Sequence, residues 1–163
     1  MPYIGRAYVM KEGKRMKFQA EDVDRFLQSK DYIDTAIIPL VGIGADQIKQ
    51  TVSLGEFTIL VAEELERQLK GRVFLFPPHT YLEVNEGKQE DILMIRKSLQ
   101  GHFQHVVYIT SDNSWGHRTE ISESLFMLNP VPLEHLKVEL KEKIIQESVG
   151  QILNFLLQKW NPS

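Results

Sequence analysis

The chain predicts an α/β fold, a three-layer sandwich with a mostly parallel sheet of about four strands flanked by helices. Two observations lead there. Short apolar runs, "DTAIIPLVGI", "RVFLFPP" and "HVVYITSDN", have the length and the bounding turn residues of buried strands. Between them stand longer segments whose apolar residues recur every three or four positions. Strands alternating with helices imply βαβ units with right-handed crossovers.

The elements follow in order. "MPYIGRAYVMKEGKR" is basic, without a convincing period and without the apolar stretch of a secretory signal. Pattern begins at Met16. In a bacterial source the codons for Lys11-Glu12-Gly13 can read as a ribosome-binding site just upstream of a start at Met16. The expected division is therefore an N-terminal extension over 1–15, either untranslated in nature or an ordinary flexible tail, and a single α/β domain over 16–163. "AEDVDRFLQSKDYI" places Val23, Phe26, Leu27 and Tyr32 near helical spacing, with acids at its start to suit the helix dipole. "DTAIIPLVGI" reads as the first strand. From Ser53, a good N-cap, Leu54, Thr58, Val61, Ala62, Leu65 and Leu69 make one apolar face, and Gly71 supplies the stop.

"RVFLFPP" is the second strand, ended by a proline pair that cannot donate ladder hydrogen bonds. "TYLEVNEG" reads as a short edge strand or a loop. "KQEDILMIRKSLQGHF" is a helix with Ile92, Ile95, Leu99 and Phe103 inward, and "HVVYITSDN" a third buried strand. "RTEISESLFML" alternates imperfectly and suits a fourth, more exposed strand. From "NPVP" onward one long helix runs to Trp160, with Leu136, Leu140, Ile144, Ile145, Val149, Ile152, Leu153 and Leu156 along its stripe. Its last turns are apolar on more than one face, since Phe155, Leu156 and Leu157 are consecutive. They suit a wedge in the core or the interface of a homo-oligomer.

Composition narrows the function classes. A length of 163 residues with 42% hydrophobic and 25% charged residues fits one soluble domain. The net charge of −3 carries no basic excess for nucleic acid. The absence of cysteine excludes disulfides and thiolate zinc sites and suits a reducing cytoplasm. No apolar run approaches a membrane span, since "IIQESVGQILNFLLQKW" is broken by Gln146, Glu147, Gln151, Asn154 and Gln158.

In open α/β sheets ligands bind beyond the carboxyl ends of the strands. Three loops are expected there, "GIGADQ", "PPHTY" and "TSDNSWGH". They would bring Asp46, Gln47, His79, Ser111, Asp112, Asn113, Trp115 and His117 to one pocket rim. These side chains suit acid–base chemistry or a divalent ion, and equally suit turns that bond their own backbone. Trp115 could stack on a ligand or cover the core edge. "GIGADQ" begins like a dinucleotide fingerprint, but Gln47 stands where Gly or Ala belongs, and no phosphate-binding helix is expected immediately after it. No P-loop, nucleophile elbow, H-E-x-x-H or EF-hand pattern occurs. No metal and no cofactor is expected.

Two resemblances add to this reading. "EDVDRFLQSKDYIDTAIIPLV" resembles the opening of the uncharacterised YpiF-like family of bacilli, a likeness that runs from Met16 through most of the chain and implies no activity. The succession of apolar strand, glycine loop, "SLG", "FLFPPHTY" and "HVVYITSDN" is similar at fold level to the creatininase (creatinine amidohydrolase) family, which implies a creatininase-like or flavodoxin-like topology. That family binds two divalent metals that activate water. Anchored on Leu54-Gly55, its glutamate falls on Asp46, the adjacent glutamine on Gln47 and its first metal histidine on Ile48. A later histidine falls on Thr51 and the ligand aspartate on Phe57, while Asp112 stands where the third loop has a histidine. Isoleucine and phenylalanine offer no lone pair to a metal, so the two-metal site should not assemble. The sequence thus predicts an uncharacterised cytoplasmic α/β protein, a non-catalytic binding or assembly protein that forms a homo-oligomer through its C-terminal helix. The alternative is a metal-assisted amide hydrolase with a reduced site at Asp46, Asp112 and His79.

Overall fold

A computed structural model describes residues 16–116 and 120–162. The proposed extension over 1–15 lies outside the described residues, as does His117. Among the described residues four α-helices and five strands follow one another: α1 (Ala20–Gln28), β1 (Thr35–Ile43), α2 (Ile48–Gln68), β2 (Val73–Leu75), β3 (His79–Leu82), α3 (Lys88–Leu99), β4 (His105–Thr110), β5 (Leu125–Met127) and α4 (Val138–Trp160). The three-layer α/β expectation holds. Every strand pairing is parallel.

β2 and β3 form one interrupted lane beside β1. Val73–Leu75 pairs with Thr35–Ile37, and His79–Leu82 pairs with Leu40–Ile43. The break has a cause in β1. The carbonyls of Ile37 and Ile43 accept from Phe76 and Glu83 N–H, so odd-numbered residues of β1 address this lane. Pro39, among them, has no N–H to offer. Opposite it the lane bulges through Phe76-Pro77-Pro78, where two prolines likewise need no partner. "TYLEVNEG" therefore contains an edge strand, and the expected four strands become four lanes in five pieces. Their order is β2/β3, β1, β4, β5. This is the doubly wound, flavodoxin-like order, and the chain reverses direction between β1 and β4. Right-handed crossovers then put α2 and α3 on opposite faces.

Side chains alternate accordingly. Ala36, Ile38, Leu40, Val106 and Tyr108 enter the core under α1 and α3; Ile37, Val107 and Ile109 enter the one under α2 and α4. The first core holds Phe26, Phe74, Phe76 and Phe103 in mutual ring contact. In the second, Phe57, Val61, Leu65, Val149, Ile152 and Leu156 are buried.

Several expectations are corrected. In α1 only Phe26 of the apolar set packs inward; Val23, Leu27 and Tyr32 are exposed. Asp22 is buried instead, because its carboxylate accepts from the Lys17 N–H and from Arg25, and this sets the helix rotation. α2 begins at Ile48, with Gln47 as N-cap, so Ser53 lies inside the helix. Its end is as expected, with Gly71 at φ 85°, the left-handed conformation that favours glycine. In "RTEISESLFML" the strand shrinks to Leu125–Met127, preceded by a 3₁₀ turn at Ser122–Ser124. The last helix starts only at Val138, because Pro130 and Pro132 keep 128–133 out of regular structure and a turn closed by the Leu136 N–H on the Leu133 carbonyl follows; Leu136 precedes it. Among the described residues no helix is long and apolar enough to cross a membrane.

Candidate functional site

The reversal between β1 and β4 puts the expected crevice at Leu40–Ile43 and Thr110–Asp112. It is almost filled, with about 10 Å³ left between Leu40, Gly42, Thr51, Thr58, Glu83 and Ser111. The chain's own polar groups fill it. The Thr51 hydroxyl donates to Glu83 Oε1 at 2.9 Å, and the Thr58 and Ser111 hydroxyls share a buried hydrogen bond of 2.7 Å.

The glycine loop takes part in this closure. A Cβ on Gly44 would sit 2.9 Å from Glu83 Oε2, and one on Gly42 would sit 3.2 Å from Glu83 Cγ. The close approach that glycines give a pyrophosphate elsewhere is used here by an internal carboxylate. The expectation that no helix follows this loop is corrected, since α2 starts one residue after Gln47. Gly55 packs α2 onto β1, with only 2.9 Å from an added Cβ to Val41 Cγ1.

Beside the crevice, on the α3 side, Lys88 is 3% exposed at the start of α3. Its Nζ donates to Ser114 Oγ at 2.6 Å, stands 3.9 Å from Asp112 Oδ2, and lies 4.6 Å from the Trp115 ring centroid and 5.0 Å from that of Tyr81. The Tyr81 hydroxyl donates to Asp112 Oδ2 at 2.6 Å, and the Ser114 N–H donates to Asp112 Oδ1 at 2.9 Å. Burial pushes the Asp112 carboxyl up, but Tyr81, Ser114 and Lys88 outweigh it and leave it below the usual carboxylate range. Burial, with Asp112 adding to it, pushes the Tyr81 hydroxyl well up. At neutral pH Asp112 is a carboxylate and Tyr81 a neutral phenol bonded to it, with Lys88 Nζ close to both. It braces the 3₁₀ turn Asn113–Trp115.

The expected rim residues therefore separate. Ser111, Asp112 and Trp115 belong to the closed crevice and its brace, and Trp115 is fully buried as a core-edge cover. Asn113, Asp46 and Gln47 are exposed. His79 is not at the rim. It opens β3 opposite Leu40 and lines a groove on the α1/α3 face with Phe18, Phe76 and Met94, where its Nε2 is buried without a hydrogen-bond partner. "PPHTY" is the mid-lane break, and that lane's carboxyl end lies at Leu82-Glu83. Among the described residues no three His, Asp or Glu side chains gather around a metal-sized space, so Asp46, Asp112 and His79 form no metal cluster. Glu83, Tyr81 and Lys88 were missed. Reading "TYLEVNEG" as a continuing strand would have put Glu83 at its tip.

Outside the crevice, the α2 start carries open apolar surface. One groove of about 670 Å³ lies between Gln47, Ile48, Leu54, Pro130 and Val131. A second, of about 500 Å³, lies between Ile43, Ile48, Val52, Gly55 and Ile59. Ile48 lines both and is 59% exposed.

A family model described as protein of unknown function, DUF2487, matches residues 24–160. The chain is 46% identical over 147 residues to the uncharacterized protein YpiF of Bacillus subtilis (strain 168), covering 90% of this chain and 99% of that one. The likeness seen from Glu21 to Val41 thus extends over nearly the whole chain. No solved structure matches it.

Proposed function

We infer a function from the premise that the chain belongs to the DUF2487 family, whose description assigns no activity. It is a non-catalytic binding or assembly protein of the cytoplasm. One observation carries this reading: the crevice where an α/β enzyme would hold its substrate is closed by Glu83, Thr51, Thr58 and Ser111, while apolar grooves flank the same helix start. Exposed apolar surface of that extent marks contact surfaces.

The creatininase-like scaffold expected from the sequence is part of the same proposal: its alignment would put two of that family's ligands on Ile48, on the groove wall, and on Phe57, fully buried in the core. Elemental analysis of protein purified without chelator tests the reading. The expected result is no stoichiometric metal; zinc or manganese bound in a fixed ratio and lost in Asp112→Ala would overturn it.

Self-association through α4 is a second reading, favoured by the exposure of Val138, Leu140 and Leu157. Light scattering at micromolar concentration tests it. It expects a dimer or larger, made monomeric by Leu157→Asp, and a monomeric wild type would remove it.

A further inference from the structure

The groove beside α2 is open for a structural reason. An inner parallel strand is covered on both faces, and α2 and α4 supply that cover here. β3 lies beyond their reach: Thr80 is exposed, Leu82 is 56% exposed, and neighbouring Ile43 is 51% exposed. α2 adds Ile48, Val52 and Ile59, whose spacing of four and seven residues puts them on one side of the helix. Between Val52 and Ile59 the wall dips at Gly55. The result is a trough with an apolar helix for one wall and the end of β1 for its floor. Among the described residues no further helix of this layer covers it.

Resting on the binding reading above, we propose that this trough is the docking site for an amphipathic helix of a partner protein whose polar face is basic. The charge around it selects that chemistry. Glu56 lines it and is exposed, and Asp46 is exposed between its Gly44 and Ile48. Glu83, held through one oxygen by Thr51, is exposed against its Gly42 and Gly44. Lys49 is paired with Glu134 at 2.9 Å and Lys17 with Glu63 at 2.7 Å. A second copy would bring the same acids against these, and an anionic membrane would be repelled by them. Size points the same way. The exposed surface of Ile43, Ile48, Val52, Ile59 and Leu82 is on the order of 500 Å², short of the roughly 800 Å² that each partner of a stable dimer buries. An apolar helix face with side chains at i, i+3, i+4 and i+7 suits such a groove.

The probe is a fluorescent peptide of about 18 residues, with leucines at those positions and lysines elsewhere, followed by anisotropy. It binds the wild type, weakens at least tenfold in Val52→Asp and in Ile48→Asp, weakens several-fold in Glu56→Lys, and is unchanged in Leu157→Asp. The same peptide with glutamates for lysines binds at least tenfold more weakly. Equal binding to Val52→Asp, equal binding of the acidic peptide, or no binding of the basic one would overturn the proposal. Two further results would overturn it while leaving the binding reading intact: a wild-type dimer that Val52→Asp turns into a monomer, and sedimentation with phosphatidylserine vesicles that Val52→Asp abolishes. Bound stoichiometric metal would instead remove the binding reading itself. Both aspartate variants change exposed residues, so an unchanged Tm confirms that the fold persists.

Discussion

The two sides of the first half of α2 differ sharply although they share one helix. Inward, Thr51 and Thr58 bond Glu83 and Ser111, and the space beside them is nearly gone. Outward, Ile48 and Val52 face solvent over a hollow of about 500 Å³. The inward side has satisfied its polar groups internally and has little left for a substrate. The outward side has exposed apolar surface that no described element covers, and such surface gains most from being covered. The contrast favours the outside of α2 over the sheet's mouth as the proposed binding surface.

The sharpest way to break the contrast is to unpack the closed side. Trp115→Ala removes a fully buried ring that supports Tyr81 and Lys88 and should cost about 3–5 kcal/mol, read by urea denaturation. A loss under about 1 kcal/mol would mean that the brace is loose. Asp112→Ala comes next. It leaves the Tyr81 hydroxyl without its acceptor and the buried Lys88 Nζ without the carboxylate 3.9 Å away, for a loss of about 2–3 kcal/mol.

The same carboxylate gives a pH test. Its folded value lies below 3.8, so its stabilisation is fully present above that value and fades as pH falls below it. Glu64 behaves likewise on the α2–α4 surface. Its hydrogen bond from Arg67 is the largest influence; burial opposes it, and Gln68 and Gln146 add to it, holding the carboxyl down at about 2. Its contribution is present above 4.5 and lost toward pH 2; its main partner Arg67 is 51% exposed, so solvent screening holds the pair to about 1 kcal/mol or less. Acid titration of Asp112→Ala against wild type should therefore show a shallower loss below pH 4 in the variant; parallel curves would refute this.

Gly55→Ala sharpens the comparison at the point where helix and strand meet. The added methyl presses on Val41 and should cost about 1 kcal/mol after the helix preference of alanine is counted. Combining it with Val41→Ala should relieve the clash itself, visible as a positive coupling in a double-mutant cycle. The smallest effect is expected outside. Val52→Ser should change stability by less than about 0.5 kcal/mol, because the side chain is already 57% exposed. A large loss there would mean that the groove is already covered.

Much of the fold was legible because its signals are local. The buried runs at Thr35–Ile43 and His105–Thr110 and the α2 stop at Gly71 follow from neighbouring residues alone. The differences come mostly from partners distant in the chain, and in one helix from side-chain contacts that apolar spacing does not register. Ser53 is a good cap in isolation, yet α2 starts five residues earlier, where Thr51 reaches Glu83 across 32 positions. Val23 and Leu27 repeat at helical spacing, yet the contacts of Asp22 with Arg25 and with the N–H of Lys17 turned them outward. His79 was assigned to the rim because two prolines looked like a strand's end. They mark a bulge opposite Pro39, and the lane continues.

By itself the sequence determined the layers, the parallel sheet and the absence of any cysteine chemistry, because apolar periodicity and residue type act within a few positions. Only the tertiary structure decided that the glycine loop receives Glu83, that Lys88 lies buried between two rings, and that one wall of α2 stays bare. Each of these depends on which strand tip and which helix become neighbours in space, and no local pattern of residues encodes that.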